Sequence, residues 1–140
     1  MVFEFEIAGE PMGKQRPKFS RVGKHVQTYT PKETVNYEQW VKICYTSAGG
    51  QHLGNGPIGI GVSIFYKIPK SFSKKKKQMA IDKKLAPTVK PDCDNVLKII
   101  CDSLNGIAYD DDKQIIYASI AKYYAEQPKV VVDIDKINIE

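Results

Sequence analysis

The segment from Asp92 to Gly106 constrains the fold more than any other part of the chain. Val96, Leu97, Ile100, Cys101 and Leu104 recur at helical spacing behind an acidic cap, and Asn105-Gly106 stops the run, so one bounded amphipathic helix is expected from about Asp92 to Leu104. Period-two stretches lie on either side. Phe3, Phe5 and Ile7 alternate with Glu4 and Glu6 up to Gly9, and Ile60, Val62, Ile64 and Tyr66 alternate within 58–68, where Pro69 ends the run. Two further strands are expected at about 114–124 and 129–139. A helix should follow Thr30-Pro31, a cap with proline at the first helical position, and reach Gly49-Gly50 with Val35, Trp40, Val41, Cys44 and Tyr45 inward. A shorter, mostly solvated helix is expected within 71–84, with Phe72, Met79, Ile81 and Leu85 as its few core residues. Residues 10–30, punctuated by Pro11, Gly13, Pro17 and Gly23, read as irregular. With 140 residues, 42% of them hydrophobic, the chain can fill one core, so the expected fold is α/β (α+β): a single domain over 1–140, with a small mixed sheet packed by helices.

Charge is unevenly spread. The net value of +5 conceals a segment, 14–24, with Lys14, Arg16, Lys18, Arg21 and Lys24 and no acid. A second segment, 70–90, holds eight lysines against Asp82 alone, which leaves the rest of the chain at −7. Two basic arms around an acidic remainder suit a polyanion gripped by lysine and arginine while carboxylates hold metal at its phosphates. No run approaches the roughly 18 apolar residues of a membrane span, and acids stand where a signal peptide would be basic, so a cytoplasmic protein is expected. Cys44, Cys93 and Cys101 lack any Cys-x-x-Cys spacing and read as reduced thiols, not as a disulfide framework or zinc knuckle.

The acids cluster. Asp92 and Asp94 fall at the cap and first turn of the central helix, where free amides stabilise anions, and Asp94, Lys98 and Asp102 follow at four-residue intervals, open to i,i+4 pairing. Capping and pairing account for these. They do not account for Asp110-Asp111-Asp112, three mutually repelling carboxylates where helix gives way to strand, and a divalent cation would relieve that repulsion. Oxygen ligands without a nearby histidine favour a hard ion, magnesium before calcium. An EF-hand is excluded, because Leu97 and Ser103 stand where its glycine and glutamate belong. His25 and His52 read as isolated surface or loop residues.

Lys90-Pro91-Asp92-Cys93-Asp94-Asn95-Val96-Leu97-Lys98, Asp102-Ser103-Leu104-Asn105-Gly106 and Tyr109-Asp110-Asp111-Asp112-Lys113-Gln114-Ile115 together resemble the signature of the RusA family of Holliday-junction resolvases. Pro11-Met12-Gly13-Lys14-Gln15-Arg16-Pro17 resembles the basic loop of many members, so the resemblance covers nearly the whole chain in matching order. It implies metal-binding acids at Asp92, Asp94 and Asp112, with Asp111 able to replace or assist Asp112 because this chain has a triplet where the family has a doublet. It also implies an active-site lysine at Lys98, Mg²⁺ as cofactor with Mn²⁺ as a possible substitute, and a homodimer acting on branched DNA in recombination and repair, whether of a cell or of a prophage. Asp102 matches a family position too, but its role could equally be structural.

The expected activity is metal-dependent phosphodiester hydrolysis at a four-way junction by an endodeoxyribonuclease, with paired nicks supplied by a symmetric dimer. Candidate phosphate contacts are Lys14, Arg16, Lys18 and Arg21 on the loop and Lys74, Lys75 and Lys76 on the short helix. Two rival readings remain open at this point: a magnesium nuclease of flaps or forks, and a non-catalytic DNA-binding protein with a structural cation.

Overall fold

The computed structural model describes residues 2–16, 18–29 and 31–138; within 18–29, the side chains of Ser20, Val22, His25, Gln27, Thr28 and Tyr29 are outside the description. Strand β1 is Val2–Ala8, β2 Lys18–Val22 and β3 His25–Tyr29, followed by helix α1 at Lys32–Ser47 and β4 at Ile58–Lys67. Helices α2, Lys74–Ile81, and α3, Cys93–Ser103, come next, then a 3-10 turn at Asp112–Gln114, β5 at Ile115–Ala125 and β6 at Lys129–Lys136. The result is an α+β fold whose main sheet has the order β1-β6-β4-β5. β6 runs antiparallel to both β1 and β4, whereas β4 and β5 are parallel.

The register explains the alternation. Phe5 stands opposite Val132, Val132 opposite Val62, and Val62 opposite Ile120, so one row of apolar side chains crosses the sheet on the helix-covered face. Val41 and Tyr45 of α1 and Val96, Ile99 and Ile100 of α3 close the core over that row. The Tyr45 ring meets Phe3 and Phe5 edge-on, with centroids at 5.4 and 5.1 Å. On the opposite face the Asp133 carboxylate lies over Gly61, where a Cβ would stand 2.6 Å from one of its oxygens and would displace that side chain.

A parallel pair needs a long crossover, and here the crossover contains α2 and α3. β5 also carries one extra residue at its start: Ile58 faces Ile115 but Gly59 faces Tyr117, which leaves Ile116 bulged and exposed. Such a bulge re-aims the neighbouring turn, here the one that carries Asp112.

Four expectations are corrected. Residues 10–30 are not wholly irregular, because Gly23, at φ +61°, turns β2 back on β3 to form a separate two-stranded sheet. Pro31 is the N-cap of α1, not its first residue; Thr30 lies outside the described residues, as does Ile139 of the last predicted strand. The inward face of α1 is Thr34, Tyr37, Val41 and Tyr45, while Val35 and Trp40 are exposed and the Trp40 indole donates to the Ala8 carbonyl at 2.9 Å. In α2 only Ala80 is buried, and Met79 and Ile81 face solvent.

Candidate active site

α3 positions most of the site. Asp92 is its N-cap, with extended backbone at φ −73° and ψ 152°, yet its side chain accepts no capping hydrogen bond, so the carboxylate is free for other work. The chain entering the helix is fixed from the sheet. The Tyr66 hydroxyl donates to the Pro91 carbonyl and the Lys122 ammonium donates to the Val89 carbonyl at 2.7 Å. Burial, and then the nearness of Cys93 and Asp92, pushes the Tyr66 hydroxyl up to about 12, so it stays a donor at neutral pH.

The basic loop rests on the same helix. The Lys14 amide donates to the Asn95 carbonyl at 3.0 Å, and a Cβ on Gly13 would come within 3.0 Å of Asn95 Cβ, so glycine lets the two backbones approach. Lys14 itself is half-buried, with Nζ 3.3 Å from Glu38 Oε2 and 3.4 Å from Asp102 Oδ2. Among the described residues Lys98 forms no ion pair within 4.0 Å, so neither expected i,i+4 partner takes it.

The aspartate triplet is sorted by its surroundings. Asp110 Oδ1 lies 3.0 Å from His52 Nε2, and because His52 Nδ1 accepts the Gly54 amide, Nε2 is the protonated nitrogen and donates to Asp110. His52 is therefore not isolated. Asp111 caps the 3-10 turn by accepting the Lys113 amide at 2.9 Å, and that bond draws its carboxyl below the usual range. Asp112 faces α3. Burial first, then contact with the carboxyls of Asp111 and Asp102, pushes its carboxyl up.

Gln114 imposes this arrangement. Its Oε1 accepts the amides of Asp110 and Asp111 at 2.8 and 2.9 Å, and its Nε2 donates to the carbonyls of Gly54 and Gly56 at 3.0 and 2.9 Å. Every hydrogen-bonding position of the amide nitrogen and both lone pairs of the oxygen are used. Sequence reasoning quoted Gln114 only as part of a motif; its partners sit about 60 residues upstream and carry no local signal.

Asp94, Leu97, Lys98, Cys101, Asp112, Ile115 and Ala118 line a cleft of about 330 Å³. Lys98 also lines the next cleft, of about 300 Å³, with Lys14, Gln15, Arg16 and Asn95. A third, of about 540 Å³, adds Lys90, Pro91 and Asp92 beside Gly13 and Lys14. Shared walls make these one trough with acids at one end and basic residues along it. Asp92 lines the cleft beside Lys90 and Pro91, Asp94 and Asp112 line the one beside Lys98, and Asp111 lines none of the three.

Among the described residues no three carboxylate, thiol or imidazole groups converge closely enough to enclose an ion. The donor set nonetheless fits one that needs no full cage. Two carboxylates in one open cleft, with a third acid pressed against one of them, suit a hard cation that keeps several waters and takes the rest of its shell from phosphate. Lys74, Lys75 and Lys76 lie apart from the trough on α2, where the Lys76 ammonium stands 4.2 Å from the Phe72 ring centroid. No helix among the described residues is long and apolar enough to cross a membrane.

The chain is similar to known proteins over nearly its whole length. The "uncharacterized protein YqaN" of Bacillus subtilis (strain 168) is 34% identical over 137 residues, covering 96% of each chain. The "crossover junction endodeoxyribonuclease rusA" of Lactococcus phage r1t is 27% identical over 136 residues, covering 96% of this chain and 97% of its own. The model of the family described as endodeoxyribonuclease RusA matches residues 8–135, from the end of β1 almost to the end of β6, and the chain belongs to that family of DNA-cleaving enzymes.

Proposed function

We propose that the chain is a Mg²⁺-dependent endonuclease that resolves four-way DNA junctions by paired nicks on opposing strands, acting as a homodimer in recombination and repair. The observation that carries this reading is the trough in which Asp94, Lys98 and Asp112 share one end with a basic loop at the other. The name of the phage relative, a crossover junction endodeoxyribonuclease, supports the substrate class.

Asp94 and Asp112 would hold Mg²⁺ at the α3 end of the trough, and Asp92 would hold it or a second ion from the N-cap. When bound, the ion supplies Lewis acidity: it acidifies water and offsets charge on the scissile phosphate. The chain's own residues do the rest. Lys98, with no ion pair among the described residues, directs a point charge at the non-bridging phosphate oxygens, where charge grows in the transition state. Burial and the carboxyls of Asp111 and Asp102 push the Asp112 carboxyl up, and a bound cation would favour its ionised form. Asp102, held by Lys14, stays behind it as a neighbour rather than a ligand. Arg16, Lys18, Arg21, Lys74 and Lys75 are exposed and available to the phosphates of the arms, whereas Lys14 and Lys76 already have partners within the chain. Two symmetric strands need two sites, which a two-fold dimer supplies from one chain.

The test is cleavage of a labelled synthetic junction and its matched linear duplex in Mg²⁺ or Mn²⁺, beside Asp94→Asn. Paired ligatable nicks in the junction alone, lost in the variant, are expected. Equal cutting of flaps or forks would move the substrate to branched DNA in general. Binding without cutting would leave a DNA-binding protein with a structural cation.

A further inference from the structure

The β2–β3 hairpin forms a sheet of its own and does not extend the main one. Arg21 stands directly opposite Val26, and Phe19 is two residues before Arg21, so all three side chains share one face. Phe19 is 73% exposed and Val26 63%. A single exposed apolar residue needs no explanation, but an isolated two-stranded hairpin is marginal in water, and this one presents a phenyl ring and a branched side chain together on an uncovered face. Arg21 shares their face, Lys24 lies in the adjoining turn, Lys18 precedes Phe19 on the strand, and residues 11–32 contain no acid. The patch is therefore apolar at its centre and cationic at its rim, which complements a base flanked by phosphates. Phe19 is also three residues beyond Arg16, which lines the trough, so along the chain it lies at most about 11 Å from it.

We propose that Phe19, backed by Val26, stacks on a base left unstacked at the branch point while Arg21 contacts the adjoining phosphate, a proposal that rests on the junction reading above. In a continuous duplex every base face is covered by its neighbours, and the ring has nothing to stack on. At a branch point that cover is incomplete. The hairpin thereby tells branched from linear DNA without reading sequence, and delivers the exchange point to Asp94 and Asp112.

The experiment measures binding in EDTA, so that no strand is cut, to a four-way junction with 2-aminopurine beside the crossover and to the matched linear duplex. Wild-type protein is expected to change the 2-aminopurine emission. Phe19→Ala should weaken junction binding by about five- to a hundredfold, the loss of one base–aromatic stack, abolish the emission change, and leave duplex binding within about twofold. Phe19→Tyr should retain both signals. Undiminished junction binding by Phe19→Ala, or equal losses on junction and duplex, would overturn the proposal while leaving the nuclease reading intact. A Phe19→Ala protein that sediments as a monomer where wild type is a dimer would overturn it in favour of a second copy covering the face. Wild-type protein with no preference for the junction would remove the underlying reading and the proposal with it.

Discussion

The Lys14 ammonium stands 3.4 Å from the Asp102 carboxylate and 3.3 Å from that of Glu38, so the basic loop is tied to the last turn of α3 and to α1 at the same point. That double pairing separates Lys14 from the other basic residues of the loop. Arg16→Ala should lower the salt dependence of junction binding by about one counterion, while Lys14→Ala should change it less and lower stability by at most about 1 kcal/mol, as half-exposed pairs do. Salt titrations of binding and thermal unfolding of both variants check this. An equal loss of salt dependence would mean that Lys14 leaves its partners for DNA.

The sorting of the triplet predicts unequal roles. Asp94→Asn and Asp112→Asn should each slow single-turnover cleavage by roughly a hundredfold or more, because each removes several kcal/mol of metal-supplied stabilisation. Asp110→Asn, whose carboxylate serves His52, should stay within about twofold, the range of an ordinary surface change. Comparable losses in all three would show that the turn rearranges when metal binds.

Asp112 also predicts a stability change without metal. Its folded carboxyl titrates above its unfolded value, so the favourable contribution is present when both states are protonated and is lost as pH rises through the folded value. In EDTA at pH 7 the ionised carboxylate therefore destabilises the fold, and Asp112→Asn should melt above wild type. The difference should close as pH falls below the ordinary carboxyl value of 3.8, and a variant that melts lower at neutral pH would contradict the assigned direction.

Gln114→Leu leaves two amides and two carbonyls without their partner. About 1–3 kcal/mol of stability should be lost in urea unfolding, with cleavage impaired and junction binding in EDTA retained. Cleavage at the wild-type rate would mean that Asp111 takes over from Asp112.

Alkaline pH should weaken the fold. Burial, then the nearby Asp112 and Asp102, pushes the Cys101 thiol up to about 12, so its stabilising effect is full below the ordinary thiol value of 9.0 and is lost as pH rises toward the folded one. Urea midpoints should fall across that window, and less steeply in Cys101→Ala. Identical pH profiles would assign the alkaline loss to other groups, such as Tyr66.

α3 was legible from sequence because its apolar stripe, cap and Asn105-Gly106 stop all agree locally, and two strands of the main sheet, β1 and β4, were legible by alternation. The inward face of α1 was not, since Thr34 and Tyr37 are buried at the 3- and 4-residue spacing while the more apolar Val35 is turned out. The β2–β3 hairpin escaped because the apolar residues of 18–29, Phe19, Val22, Val26 and Tyr29, do not recur with period two, which is the signal alternation depends on. The acids were visible as a cluster, but which member of the triplet meets α3 depends on His52, Gly54 and Gly56, partners that only tertiary contact supplies.

β6 follows every other element in chain order, yet it lies between β1 and β4. Until it is synthesised, β1 has no neighbour and the floor beneath α3 is incomplete. A chain ending at Pro128 should show no protease-resistant core, and a stable fragment would contradict this. During synthesis, then, the sheet beneath α3 stays incomplete until β6 has emerged, and the trough that brings Asp94 to Asp112 lacks its full support until that last strand is in place.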